Sequence, residues 1–215
     1  MGYPVPFSTK GGAIASYEWL DITSGVGYRT YYGFKENTAT ADYSLVTTSI
    51  FDSGGYIRAD MSTVDATYIK GIDIDFDIVL ARPAYVQGLA YFNCTVKAYA
   101  QANCDGNHYV VATLVHYDGS TETELASAQS ETTNTPESST EYFRHALVLD
   151  VTAGKKFKIG ETLRLTVEVW GNDTQGTMTF HLFFDPSSRL TVTDHPNGAT
   201  TGTDLKLHVP FRVDI

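Results

Sequence analysis

The sequence predicts an all-β protein folded as an antiparallel, jelly-roll-like β-sandwich. Apolar and polar residues alternate with a period of two in segment after segment, and no window shows the 3.6-residue period of a helix. The segment Glu161–Gly171 shows the pattern best, with Leu163, Leu165, Val167 and Val169 on one face. One face of such a strand lies in an apolar core and the other in water. We therefore expect Glu161–Gly171 to be a central strand of the sandwich.

A second segment, Ile69–Leu80, alternates just as cleanly. Its two faces are apolar and acidic, and are formed by Ile72, Ile74, Phe76 and Ile78 on one side and Asp73, Asp75 and Asp77 on the other. We expect the four apolar residues to share one core with those of Glu161–Gly171.

Turn residues separate the remaining candidate strands. These strands are Tyr17–Ile22, Tyr28–Phe34, Tyr43–Phe51, Tyr56–Ala59, Leu89–Ala100, His108–Tyr117, Thr121–Gln129, Phe143–Val151, Thr177–Phe184 and Leu205–Val213. We expect Leu89–Ala100 and His108–Tyr117 to form a hairpin, and the polar stretches 130–141 and 185–202 to be loops. About eleven strands exceed an immunoglobulin-like sandwich and fit a jelly roll with an added hairpin.

The length of 215 residues suits one domain with an arm. We assign residues 17–215 to a single sandwich and residues 1–16 to an extended N-terminal arm. The arm carries Tyr3, Val5 and Phe7 between Pro4 and Pro6, and prolines exclude a central strand. Two interpretations remain open: a disordered start, or an arm whose apolar side chains are assembly contacts on a neighbouring subunit.

Composition and charge exclude several classes of protein. The formal net charge is −10 and the 15 basic residues are dispersed, which argues against nucleic acid as a partner. No apolar stretch reaches membrane-spanning length, and the first residues lack the pattern of a signal peptide. We therefore expect synthesis in the cytoplasm without a signal peptide and no membrane insertion.

The two cysteines, Cys94 and Cys104, are expected to be small apolar side chains without a disulfide. In the predicted hairpin, the cross-strand neighbour of Cys94 lies near Val115, too far from Cys104 for a bridge.

No motif identifies a catalytic, metal or cofactor site. The spacing of Asp73, Asp75 and Asp77 copies the start of a calcium loop, but Ile78 stands where that loop requires glycine. A solvated strand face explains the triplet, while a cation or a basic partner stays open as an alternative. The six histidines are scattered, and no nucleophile elbow or zinc motif is present. We therefore predict no cofactor and no enzyme activity.

One aromatic cluster remains as a candidate ligand site. Tyr28, Tyr31 and Tyr32 follow a turn with the pattern Gly25-Val26-Gly27 and are candidates for stacking on a ligand. Alternation places Tyr28 and Tyr32 on one face of their strand and Tyr31 on the other, so not all three belong to the core.

Four segments resemble a recurrent kind of jelly-roll protein found in the particles of tailed viruses (bacteriophages). They are Tyr28–Gly33, Val115–Ser130, Gly160–Trp170 and Leu205–Ile215. The resemblance implies a multi-copy virion component, a head-decoration or projecting tail protein, that contacts other virion proteins and has no catalytic residues. It also implies a homo-oligomer, for which three-fold symmetry is the expectation.

Three functions are open at this stage, because a fold does not fix a function. The first is a virion structural protein that acts through assembly contacts. The second is a carbohydrate- or receptor-binding module for a host-surface glycan. The third is an enzyme such as a polysaccharide lyase or glycosidase.

Overall fold

The computed structural model describes residues 26–35, 43–47, 56–63, 67–102, 104–173, 176–184, 191–192, 201–202 and 205–212. The secondary structure in these ranges consists of β-strands without any helix, which confirms the predicted all-β class. The strands are β1 (Val26–Lys35), β2 (Tyr43–Val46), β3 (Tyr56–Thr63), β4 (Ile69–Val79), β5 (Ala84–Ala100), β6 (Gly106–Tyr117), β7 (Glu122–Gln129), β8 (Thr133–Thr135), β9 (Thr140–Phe157), β10 (Thr162–Asn172), β11 (Gly176–Phe183), β12 (Thr191–Val192), β13 (Thr201–Gly202) and β14 (Leu205–Arg212). Residues 1–16 and the predicted strand Tyr17–Ile22 lie outside the described residues.

The strands form two layers. The first, layer one, is organised around the long strand β5. One side of β5 pairs with β9 along its whole length. The other side pairs with β14 at residues 86–94 and with β11 at residues 95–100. The layer then continues from β14 to β1 and β2, and from β11 to β3. All of these pairs are antiparallel, so the layer is a forked antiparallel sheet.

Layer two is the sheet β4–β10–β6, which β7 and β8 extend on the far side of β6. A single parallel bridge between Ser44 of β2 and Asp77 of β4 joins the two layers. At the opposite side of the molecule β7 lies against β9 without pairing to it. Side chains from both layers form one continuous hydrophobic core, so the fold is a β-sandwich.

The prediction that the apolar residues of Glu161–Gly171 and Ile69–Leu80 share one core is confirmed. Strands β10 and β4 are antiparallel neighbours, and the two apolar sets lie directly opposite one another: Leu163 with Ile78, Leu165 with Phe76, Val167 with Ile74, and Val169 with Ile72. The four residues of β10, together with Ile72 and Phe76, are buried, while Ile74 and Ile78 are partly buried against the core.

The predicted hairpin between Leu89–Ala100 and His108–Tyr117 is wrong. Strand β5 belongs to layer one and β6 to layer two, so the polar segment between them crosses from one layer to the other. The neighbours of Cys94 are accordingly Leu205 and His145 rather than a residue near Val115. Both cysteines lie in the described part of the chain and neither is in a disulfide, as predicted.

Two loop predictions have different outcomes. The segment 130–141 is not wholly a loop, because Thr133–Thr135 pairs with β6. The turn after Tyr117 is confirmed: Gly119 has a positive φ of 100°, and the Asp118 carboxylate accepts the backbone N–H groups of Ser120 and Thr121 at 2.9 and 2.7 Å. These hydrogen bonds lower the pKa of Asp118 to about 2. The jelly-roll order of strands remains a prediction.

Candidate functional site

The outer face of layer one is rich in exposed aromatic and aliphatic side chains. We call it the layer-one face; its large apolar members are Tyr28, Tyr32, Tyr56, Leu89, Tyr91, Tyr99, Tyr142 and Val148. A wet strand face ordinarily carries polar residues at such positions. Here Val148 is 51% exposed, and Tyr91 and Leu89 are 40% and 39% exposed.

The centre of this face is a mainly apolar patch across four strands, β9, β5, β14 and β1. Tyr91 of β5 lies opposite Val148 of β9 and opposite His208 of β14. The ring of Tyr28 lies 6.0 Å from that of Tyr91, and Thr30 bonds the His208 ring at 2.9 Å. The backbone of an extended sheet fixes these side chains in rows, so the patch needs little ordering when it meets a partner.

A second aromatic group extends the patch towards β3. The ring of Tyr56 stacks on that of His181 with 4.3 Å between centroids and 1° between planes. In the same region the Lys97 ammonium lies 5.7 Å from the ring centroid of Tyr142. In both contacts an aromatic ring packs against a polar or charged group, an arrangement that is common at protein interfaces.

The charged residues of the layer-one face are mostly basic, with Arg58, Lys97, Arg144 and Lys206 against the two carboxylates Asp60 and Asp150. The carboxylate of Asp60 is engaged within the face, because Thr179 donates to it at 2.7 Å and Arg58 at 2.9 and 3.0 Å. These partners hold the pKa of Asp60 below its usual value. The face is therefore apolar and aromatic at its centre with basic groups around it.

The candidate tyrosines separate as alternation predicts. Tyr28 and Tyr32 lie half-buried on the layer-one face, whereas Tyr31 is fully buried in the core. Burial raises the pKa of Tyr31 to about 12. Tyr31 as a stacking residue is thus a wrong prediction, because its ring is inaccessible to any ligand. The candidate assembly contacts Tyr3, Val5 and Phe7 lie outside the described residues.

The outer face of layer two, which we call the layer-two face, is acidic, and ion pairs connect its neighbouring strands. Its acidic residues are Asp73, Asp75, Asp77, Glu122, Glu124 and Glu168. Arg164 bonds both carboxylate oxygens of Asp77 at 2.7 and 2.8 Å and also contacts Asp75 and Glu122. The basic partners of the aspartate triplet are therefore Arg164 of β10, for Asp75 and Asp77, and Lys70 of β4, for Asp73. These pairs explain how like charges share one face without a cation.

Two histidines face each other inside the sandwich. His108 of β6 and His145 of β9 are buried, and their rings meet edge to face with centroids 5.5 Å apart. Thr133 lies within hydrogen-bonding distance of the His108 ring, while Nε2 of His145 has no hydrogen-bond partner among the described residues. Burial lowers the pKa of His108 to about 3 and that of His145 to about 4. Both rings are therefore neutral at physiological pH.

Sequence reasoning missed the main members of the layer-one face, although a signal was present. Leu89-Ala90-Tyr91-Phe92 and Ala146-Leu147-Val148-Leu149 are unbroken apolar runs. An unbroken run indicates a strand whose two faces are both apolar. One face of each run fills the core, and the other forms the patch.

No group of three or more histidine, cysteine or acidic side chains that could hold a metal ion occurs in the described ranges. The part of the chain that the structure describes also contains no helix long and apolar enough to cross a membrane.

Comparison with known proteins gives structural matches alone. No protein family and no curated protein matches the sequence. Among solved structures, an aminopeptidase from a marine sediment archaeon (Thaumarchaeota archaeon) superimposes with a TM-score of 0.54 at 8% identity, over 88% of this chain and 37% of that chain. A CocE/NonD family hydrolase from Staphylococcus aureus matches with a TM-score of 0.49 at 13% identity, over 87% and 36% of the two chains. The VP2 subviral particle of infectious bursal disease virus matches with a TM-score of 0.36 at 8% identity, over 84% and 45%.

The match to the archaeal aminopeptidase, with a TM-score of 0.54, corrects the prediction that the protein is not an enzyme. The present chain spans just over a third of each hydrolase chain. The sandwich is therefore a fold that also occurs within a hydrolytic enzyme. A lack of known motifs in the sequence did not justify the exclusion, because catalytic side chains are arranged in space and need share no sequence spacing.

Proposed function

We propose that this protein is a structural component of a virus particle, a multi-copy head-decoration or projecting tail protein, and that it assembles through its layer-one face. The proposal is carried by one observation: an apolar patch around Tyr91 and Val148 is exposed on the solvent-facing side of layer one. The resemblance of four sequence segments to virion proteins of tailed viruses supports the assignment to a virus particle.

The composition of the face supports a protein partner. Tyrosine and arginine are enriched at protein interfaces, where their large side chains bury apolar area and keep a polar end. Covering the exposed parts of Val148, Leu89 and Tyr91 is worth roughly 1 kcal/mol each. Such gains are repeated at every contact of a symmetric assembly.

The partner that the charges favour is acidic. The layer-one face carries Arg58, Lys97, Arg144 and Lys206, whereas the layer-two face and the chain as a whole are acidic. Opposite charges steer association and fix its orientation. Other virion proteins with an acidic surface are therefore suitable partners. Copies of this chain meet through the apolar centres of their layer-one faces, and we retain a trimer as the proposed oligomer.

The N-terminal arm belongs to the same proposal. Tyr3, Val5 and Phe7 are apolar residues that the two prolines keep from a central strand position. We assign Met1–Lys10 to a contact with another subunit. Deleting residues 1–10 should lower the mass of the assembly measured by light scattering, and an unchanged mass would remove the arm from the proposal.

The experiment that tests assembly through the layer-one face compares two exposed valines, one on each face of the sandwich. Val148 lies on the layer-one face and Val79 on the layer-two face, and both are exposed, at 51% and 62%. We expect Val148→Asp to convert the assembly to monomers in light scattering, because a carboxylate cannot be buried cheaply in an interface. Val79→Asp should leave the mass unchanged. A wild-type protein that remains monomeric at high concentration, or a Val148→Asp variant with the wild-type mass, would refute the proposal.

A further inference from the structure

We infer that one end of the layer-two face, where β6, β8 and β10 run side by side, is a binding site for a neutral carbohydrate. Three aromatic rings meet there. Trp170 of β10 lies opposite Tyr109 of β6, with 6.2 Å between ring centroids and 9° between planes. Tyr68 reaches the same ring of Tyr109, at a centroid distance of 5.0 Å.

A row of amide side chains borders the aromatic rings. Asn172, Asn107 and Asn134 lie opposite one another on β10, β6 and β8, one row beyond Trp170 and Tyr109 on the same face. Asn134 donates to the side-chain oxygens of Asn107 at 3.2 Å and of Asp105 at 3.0 Å. The row is thus part of an organised network that leaves the exposed Asn134 at the surface.

The ring of Trp170 is held in place by its neighbours. Its indole N–H donates to Glu168 at 2.7 Å, and the Lys70 ammonium lies 5.6 Å from the ring centroid. The same ammonium bonds Glu168 at 2.6 Å and Asp73 at 2.8 Å. A side chain fixed in this way loses little conformational freedom when it binds a ligand.

The chemistry of the two rows fits a sugar. The C–H faces of a pyranose ring pack on aromatic surfaces, and an amide offers both a donor and an acceptor to neighbouring hydroxyl groups. A binding site built from an apolar platform and a few placed polar groups is the usual form for small ligands.

The charges around the site select against anionic ligands. Glu168 accepts from the Trp170 indole, and Asp105 accepts from Asn134. The one nearby cation among the described residues, Lys70, is neutralised by Glu168 and Asp73. A phosphate, a sulfated glycan or a sialic acid would meet this negative charge unfavourably. The expected ligand is therefore an uncharged oligosaccharide.

This site is independent of the proposed assembly function, because it lies on the opposite layer from Val148 and Tyr91. Loss of sugar binding would leave the assembly mass unchanged, and loss of assembly would leave the sugar site intact. The two proposals can therefore fail separately.

The test is calorimetric titration of the full chain with four neutral oligosaccharides: maltotriose, cellotriose, N,N′,N″-triacetylchitotriose and lactose. Sialyllactose serves as the anionic comparison. We expect at least one neutral sugar to bind, with sialyllactose weaker than lactose. Tyr109→Ala and Asn134→Ala should each weaken binding about tenfold or more. Tyr117→Ala is the matched control, because Tyr117 lies on the same face of β6 but against Arg164, 5.2 Å away; its affinity should equal that of the wild type.

A measurement on the wild-type chain tests the site without depending on the folding of any variant. In a nitrogen-15 NMR titration, the bound sugar should shift the backbone signals of residues 107–109, 134 and 170–172. No binding of any neutral sugar up to about 10 mM, shifts confined to other strands, or full affinity in Tyr109→Ala would overturn the inference.

Discussion

Lowering the pH should destabilise the protein through the buried histidine pair His108 and His145. The groups that face them are each other, Thr133 on β8 and Cys94, which lies opposite His145 on β5. No carboxylate is among these neighbours, so a proton on either ring would be buried without a counter-charge. Phe143 and Phe180 line the rest of the His108 environment.

The size of the effect follows from proton linkage. The pKa values of the two folded-state rings, about 3 and about 4, lie below the value of 6.5 for an unperturbed histidine. The unfolded chain therefore takes up more protons, and stability that is complete above pH 6.5 is lost as the pH falls. At about pH 5 the loss is roughly 2 kcal/mol for each ring, and so about 4 kcal/mol for the pair.

Urea unfolding at a series of pH values between about 7.5 and 5 measures this loss directly. Carboxylates contribute little in this range because their unfolded pKa values lie near 4. His145→Gln should remove about half of the part of the slope of unfolding free energy against pH that the pair contributes, independently of its effect on stability at pH 7.5. His208→Gln is the comparison: that ring is half-buried on the layer-one face, and burial and Lys206 lower its pKa too, so a smaller change is expected. An unchanged slope in His145→Gln would refute the reasoning.

Three further predictions concern the centre of layer two. Leu165→Ala should lower the unfolding free energy by about 2–5 kcal/mol, whereas Thr166→Ala on the solvent side should cost about 1 kcal/mol; equal costs in urea unfolding would contradict the assignment of faces. Arg164→Gln leaves the carboxylates of Asp75, Asp77 and Glu122 unbalanced, so the melting temperature of the variant should rise with added salt more steeply than that of the wild type. Parallel salt curves would rule this out. A chelator should leave the melting temperature unchanged, and a fall of several degrees would point to a metal at the aspartates of β4.

The sequence was sufficient to predict what depends on local alternation. Strand β10 and the solvent-facing aspartates of β4 follow from a period of two and a single buried face. The opposite faces of Tyr28 and Tyr31 follow from the same rule. Each of these features depends on residues within one or two strands.

The features that depend on long-range pairing could not be predicted in the same way. Strands β5 and β6 are neighbours in sequence and carry a polar turn between them, yet each is stabilised by partners from distant segments. Whether such a connection is a hairpin or a crossing between layers depends on the packing of the whole core, which local propensity does not report. The patch around Tyr91 was missed because alternation was used to find the core, and apolar residues on the second face were not weighed.

The most direct test of the account is hydroxyl-radical footprinting of the protein at concentrations where it is assembled and where it is monomeric. Assembly through the layer-one face predicts that Tyr91, Leu89 and Val148 become protected from oxidation in the assembly. Tyr109 and Trp170, on the layer-two face, should be oxidised equally in both states. Protection of the layer-two residues with continued oxidation of Tyr91 and Val148 would contradict the central claim.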